Sequence, residues 1–160
     1  MKYSNYMEVS FKALSVNEGF ARVCVASFCV QLNPSVDEIT DIKTAVSEAV
    51  TNCVVHAYPT SVKGDVILRC ELEDDTVTIT VADKGVGIKD ITKAREPFYT
   101  SKPSSERSGM GFTVMESFMD DVQVSSNSFG TSVRMTKKIS ANACAVAGWY
   151  VVARENSWAN

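Results

Sequence analysis

No Cys-x-x-Cys pair occurs in this chain; its five cysteines (Cys24, Cys29, Cys53, Cys70 and Cys144) are odd in number and stand mostly in apolar runs. They read as buried thiols of a reducing compartment rather than a disulfide frame. Positive charge is sparse: 16 Lys and Arg against 19 Asp and Glu leave a net charge of −3, with no basic cluster, so a nucleic-acid backbone is disfavoured as a partner. No apolar run approaches the ~20 residues of a membrane helix, and the start "MKYSNYMEVS" lacks the apolar core of a signal peptide; a cytoplasmic protein is expected. No Gly-x-x-x-x-Gly-Lys phosphate loop and no internal repeat are found. What is present suffices for one globular unit, with 160 residues that are 45% hydrophobic.

Along the chain the hydrophobic period changes several times. "EVSFKA" alternates, with Val9, Phe11 and Ala13 on one face, and predicts a half-buried strand. Residues 17–32 are largely apolar and predict a helix, with Ser15 and Glu18 at capping-box spacing. Asn33-Pro34 breaks it, and Ser35 with Glu38 repeats the spacing to open a second helix running to about His56. "DVILRCEL" and "TVTITVAD" alternate, are rich in β-branched residues, and predict a hairpin turning at Asp74-Asp75. Lys84 to Arg107 predicts a long connection without regular structure, "MGFTVMESFMD" a helix, and "DVQVSS" with "TSVRMTKK" a last strand pair about Asn127 to Gly130. This order predicts an α+β fold, a two-layer sandwich whose mostly antiparallel mixed sheet carries its helices on one face.

Within the second helix, "TAVSEAVTNCVVHAY" sets Glu48, Asn52 and His56 four residues apart. Such residues stack on one helix face and form a polar stripe. Ile39, Ile42, Val46, Val50 and Cys53 cluster on one side of the wheel, with Asp41, Glu48 and Asn52 opposite. By itself the stripe is compatible with a solvated face, a metal or a substrate. The long connection is bounded by two Gly-x-Gly pairs, "DKGVGI" (Asp83, Gly85, Gly87) and "SGMGF" (Gly109, Gly111). Each alone reads as a turn or a flexible helix entry; together they allow close backbone approach to a ligand and present a helix N-terminus to an anion. A connection this long is usually a functional lid or a disordered segment, and bounded by these glycines it reads as a lid over an anion.

In this order the segments "SEAVTN", "DKGVGI" and "SGMGF" resemble the N box and the two glycine boxes of the ATPase and kinase superfamily that includes gyrase, Hsp90, histidine kinases and the mismatch-repair ATPases. "FARVCVASF", "TDIKTAVSEAVTNCVVHAY", "ADKGVGI", "REPFYTSKP" and "ERSGMGFTVMESFMDDV" narrow the resemblance, over about residues 6–138, to the sporulation anti-sigma-F factors, small serine kinases. The resemblance implies a Bergerat-type ATP-binding fold with an ATP lid, ATP or ADP and Mg²⁺ as cofactors, and a site assigned as follows. Asn52 would hold Mg²⁺ through its amide oxygen. Glu48, one turn earlier, would be the catalytic base for a serine hydroxyl. Asp83 would recognise the exocyclic amino group of adenine, which a carboxylate accepts. Gly85 and Gly87 would let the chain pass close to base and sugar, and Thr131 would lie near the base. Gly109 and Gly111 would meet the phosphates, aided by Lys102 and Arg107. His56 is assigned no catalytic part.

The single histidine lies within this helix and no phospho-acceptor helix pair precedes it, so a histidine-kinase reading fails and the acceptor is expected on another protein. The implied partners are a sigma-F-type sigma factor, held inactive, and an anti-anti-sigma protein phosphorylated on serine, with Glu18 and Arg22 at partner-contact positions and a homodimer whose edge the first strand could supply. A nucleotide-gated sigma-sequestering module without transfer, and a stress-response relative, are the alternatives. Residues 1–140 read as the ATP-binding kinase domain. The tail 141–160, with an apolar block from Ala143 to Ala153, departs from the family pattern and admits an added element, a partner surface or an extension.

Overall fold

The structure is a computed structural model and describes residues 4–59, 64–99 and 109–140. Lys102, Arg107, Cys144 and the tail 141–160 lie outside the described residues.

Five strands, β1 (Ser4–Lys12), β2 (Asp65–Glu73), β3 (Thr76–Asp83), β4 (Asp121–Asn127) and β5 (Gly130–Lys138), form one sheet in the order β1-β2-β3-β5-β4. All four pairings are antiparallel, so the mixed character expected of the sheet is absent among the described residues. The register follows the alternation. Val66, Leu68, Cys70 and Leu72 of β2 and Val77, Ile79 and Val81 of β3 turn inward, while Arg69, Glu71, Thr78 and Thr80 occupy the opposite face. The β2–β3 turn uses Asp74 at φ 53°, a left-handed conformation that aspartate tolerates better than most residues.

The helical layer comprises α1 (Asn17–Cys29), α2 (Val36–Asn52), the single turn α3 (Ile91–Ala94) and α4 (Gly111–Phe118). Helix α1 buries Ala21, Val25 and Cys29, tightens into a 3₁₀ turn over Val30–Leu32, and stops at Asn33, whose φ of 52° precedes Pro34. Its expected capping box does not form. Val16 is the cap residue, and the Glu18 carboxylate is instead taken by Arg22 at 3.3 Å and the Thr51 hydroxyl at 3.4 Å. The second capping box is present: the Glu38 N–H donates to Ser35 Oγ at 3.1 Å and the Ser35 N–H to Glu38 Oε2 at 2.7 Å. Such a cap contributes about 1 kcal/mol to helix α2.

Helix α2 buries Ile42, Ala45, Val46, Ala49 and Val50 against the sheet, with Leu68, Leu72, Ile79, Met115 and Met135 completing one core. Its α-helical path ends at Asn52, short of the expected His56. Cys53–Ala57 continue as a π turn, whose wider winding re-aims the residues after Asn52. The connection from Lys84 also differs from expectation, because Asp90 caps the short helix α3 through the Lys93 N–H at 3.0 Å. Cys29, Cys53 and Cys70 are buried free thiols and Cys24 is half-buried. Among the described residues no helix is long and apolar enough to cross a membrane.

Candidate functional site

Helix α2, the π turn after it, the end of β3 and the start of α4 enclose a cavity of about 520 Å³. That volume suits a nucleotide-sized ligand. Its wall contains Glu48, Asn52, Asp83, Gly87, Gly109, Gly111 and Thr131, residues that are spread over more than half of the chain. The polar stripe of α2 therefore faces this cavity.

Two poles organise it. At one, α4 begins against α2: a side-chain carbon added to Gly111 would stand 3.2 Å from Glu48 Oε2 and 3.3 Å from Asn52 Oδ1. The absence of a side chain at 111 thus lets a helix N-terminus, whose first N–H groups have no partner within the helix, approach a carboxylate and an amide. Gly109 precedes it in a left-handed conformation, φ 65°, and its carbonyl accepts the Phe98 N–H at 3.0 Å. The chain segments flanking residues 100–108 are thereby joined at their bases.

At the other pole sits Asp83, 9% exposed at the end of β3. Its Oδ1 accepts the Gly85 N–H at 2.8 Å and the Thr131 N–H at 3.3 Å. Gly85 does not line the cavity itself; it shapes the turn, because a Cβ there would run into the Ala57 carbonyl, which accepts the neighbouring Val86 N–H at 2.8 Å. Gly87 adopts φ 73°, and a Cβ there would collide with the Asn127 carbonyl. Burial, with the Asp83 carboxylate as the next cause, pushes the Cys53 thiol well above its ordinary pKa, so it stays protonated on the cavity wall.

The structure adds residues that sequence reasoning missed. Val86, Ile88, Met110 and Phe112 supply apolar wall between the polar poles. Val86 and Ile88 were legible in principle, as apolar residues standing on either side of a glycine in "GVGI". Ser126 was not: its Oγ accepts the Ile88 N–H at 2.8 Å and lies 2.8 Å from Thr131 Oγ1, tying the turn after β3 to β4 and β5. His56 lines the cavity as well. Glu18 and Arg22 do not. They lie on α1, joined to each other at 3.3 Å and to α2 through Ser47 at 3.3 Å.

No group of three or more His, Cys, Asp or Glu side chains placed to hold a metal ion occurs among the described residues. A magnesium ion fits such a site in one form: one or two protein oxygens, with phosphates and waters completing the octahedron. The Asn52 amide oxygen beside Glu48 and the α4 N-terminus supplies that kind of donor set.

Comparison with known proteins follows the same outline. The profile of the family described as Histidine kinase-like ATPase domain matches residues 12–137. The Anti-sigma F factor of Oceanobacillus iheyensis is 58% identical over 137 residues, 85% of this chain and 94% of that protein. The Anti-sigma F factor of Bacillus subtilis (strain 168) is 55% identical with the same coverage. Among solved structures, the RsbU and RsbW domains of a Mycobacterium tuberculosis protein superpose with a TM-score of 0.65 at 20% identity, over 87% of this chain and 34% of that one. The catalytic domain of histidine kinase ThkA gives 0.52 at 17% identity, over 84% and 96%. These two share the fold, an α+β sandwich of the same kind. A cavity between α2, β3 and α4, together with identity above half over nearly the whole length of two relatives, leads to one conclusion: the chain belongs to the anti-sigma F factors, within the family of histidine kinase-like, ATP-binding ATPase domains.

Proposed function

We propose that this protein holds a sigma-F-type sigma factor inactive and phosphorylates an anti-anti-sigma protein on serine, with Mg-ATP as the phosphoryl donor. The observation that carries the reading is the meeting of Glu48, Asn52 and the N-terminus of α4 at one end of a cavity whose other end holds Asp83.

Asp83 accepts the exocyclic amino group of adenine, its orientation set by two backbone N–H groups on Oδ1. Thr131 lies beside it, and Gly85 and Gly87 keep the turn low enough for base and sugar. Gly109 and Gly111 bring backbone N–H groups to the phosphates, with Lys102 and Arg107 adding positive charge. Asn52 would hold Mg²⁺ through its amide oxygen, and the ion would supply charge neutralisation at the triphosphate. Glu48 accepts the proton of the incoming serine hydroxyl as its oxygen bonds to the γ-phosphorus and the bond to the ADP oxygen breaks. Glu18 and Arg22 contact the protein partners from α1. The outer strand β1, nine residues long and at the edge of the sheet among the described residues, offers an edge for a homodimer. Sporulation and the cytoplasm are the setting this reading implies.

Transfer of labelled γ-phosphate to a purified anti-anti-sigma protein tests it, comparing wild type with Glu48→Ala. Label on the partner's serine that disappears in the variant, with ATP affinity retained, is the expected result. No label from a wild type that binds ATP would leave a nucleotide-gated sigma trap and remove the role given to Glu48.

A further inference from the structure

Strand β5 touches the cavity at its start, where the Thr131 N–H meets Asp83, and does something different at its far end. There Lys137 Nζ donates to Asp41 Oδ2 of α2 at 3.1 Å and to the carbonyl of Phe118, the last residue of α4, at 2.7 Å. The lysine side chain is only 12% exposed and the aspartate 29%. An ammonium group so covered loses much of its hydration and is rarely found without partners, which makes a chance surface contact a poor account of it. Its second partner is the kind of carbonyl that a helix end leaves unsatisfied, at the negative end of the helix dipole.

The residues around Lys137 strengthen the attachment. The Asp120 N–H donates to the Thr136 carbonyl at 2.9 Å, and Asp120 Oδ2 accepts the Lys138 N–H at 2.7 Å. The C-terminus of α4 is thus fixed to β5 on both sides of Lys137 and to α2 through Asp41. At its other end, among the described residues, α4 has no side-chain clamp of this kind: its cap residue, Met110, makes no side-chain cap hydrogen bond. The entry is held by backbone, the Gly109 carbonyl accepting the Phe98 N–H at 3.0 Å, with Arg95 pairing to Glu116 at 2.6 Å further along the helix. Eight helical residues span about 12 Å, so the end clamped by side chains helps set the position of the other end against Glu48 and Asn52.

We propose that Lys137 is a positioning residue for the phosphate half of the nucleotide site. By clamping the C-terminus of α4 to α2 and β5, it holds the α4 N-terminus at the distance from Glu48 and Asn52 that phosphates require. The inference rests on the cavity binding adenine nucleotide through α4 and Asp83, and is independent of which protein receives the phosphate. The adenine pole is built from Asp83, Gly85, Thr131 and Ser126, none of which depends on α4. Loosening the clamp should therefore weaken phosphate recognition selectively.

Equilibrium titration of the full chain with ATP and with adenosine, for wild type, Lys137→Met and Lys137→Arg, separates the two halves, with thermal melts run alongside. Lys137→Met is expected to lose about tenfold in ATP affinity while adenosine stays within about twofold, and Lys137→Arg, which keeps a charged donor, to recover most of the loss. A folded Lys137→Met that binds ATP as wild type does, or that loses ATP and adenosine affinity equally, would overturn the proposal. If Lys137→Met fails to fold because Asp41 is stranded, the Lys137→Met, Asp41→Leu double variant removes both charges and is judged by the same outcomes. A wild type that binds neither ligand would overturn the site reading itself, a result distinct from a change confined to the variants.

Discussion

The Asp83 carboxylate accepts the backbone N–H of Thr131 at 3.3 Å, a contact between residues 48 apart in sequence. The same oxygen takes the Gly85 N–H at 2.8 Å, so two strands and a turn agree on the orientation of one side chain. An Asp83→Asn variant can keep both backbone bonds through its amide oxygen, and the fold should survive. Adenine would then face a group able to donate where an acceptor is needed. A loss of about 10- to 100-fold in ATP affinity is expected, from 1.5–3 kcal/mol for a hydrogen bond to a charged group. Titration calorimetry measures it, and unchanged affinity would contradict the role of Asp83.

Gly111 tests the phosphate contact proposed for the α4 end of the cavity. In Gly111→Ala the added carbon would press on Glu48 Oε2 at 3.2 Å and Asn52 Oδ1 at 3.3 Å, both far ends of movable side chains. Phosphoryl transfer should fall by about tenfold, since small displacements of reacting groups are costly. The melting temperature should hold or rise, because alanine favours a helix over glycine by up to about 1 kcal/mol. A variant that is both unstable and inactive would argue against a local effect.

Glu38 gives a pH signature. The Ser140 N–H at 2.8 Å is the main cause holding its carboxyl down at about 2, with the Ser35 bonds of the capping box adding to it. A carboxyl whose folded pKa lies below its unfolded value contributes stability that is fully present above about pH 4.5 and is lost as pH falls toward about 2. Glu38→Gln should therefore be less stable than wild type at pH 7 by about 1–2 kcal/mol, after allowance for solvent screening, and the gap should close between pH 4.5 and 2. Denaturant melts at stepped pH decide this; a gap independent of pH would remove the charge from the explanation.

Substitution of Arg22 tests the partner role proposed for α1 apart from the nucleotide site. It stands on α1, bonded to Glu18 and Ser47, and does not line the cavity. Arg22→Glu is expected to weaken binding of the sigma factor by at least about tenfold, the scale of a reversed interface charge, while ATP affinity changes by less than about twofold. Interferometry with immobilised sigma factor and nucleotide titration give the two numbers; a parallel loss of both would place Arg22 in the fold rather than at an interface.

Much of the architecture was legible because its causes are local. Ser35 and Glu38 lie three residues apart and close a capping box with each other, so their spacing is enough to see it. The alternation of β2 and β3 shows in the sequence because inward and outward residues differ in polarity. Ser15 and Glu18 carry the same spacing without the box, since Thr51 and Arg22 from the packed helices compete for the carboxylate. The π turn was invisible for a related reason: Cys53–Ala57 have ordinary helical composition, and the Ala57 carbonyl is instead drawn to the Val86 N–H across the fold.

By itself the sequence determined where the chain is helical or extended, which face of each element is apolar, and where glycine leaves the backbone bare, as at Gly87 and Gly111. Those properties depend on residues a few positions apart. The tertiary structure alone decided that Thr131 orients Asp83, that Ser126 ties the turn after β3 to β5, and that Lys137 reaches Asp41 over 96 residues of sequence. Such contacts follow from strand register and helix packing, which the whole core settles together, and no local pattern encodes the partner of a side chain whose neighbour arrives from the other end of the chain.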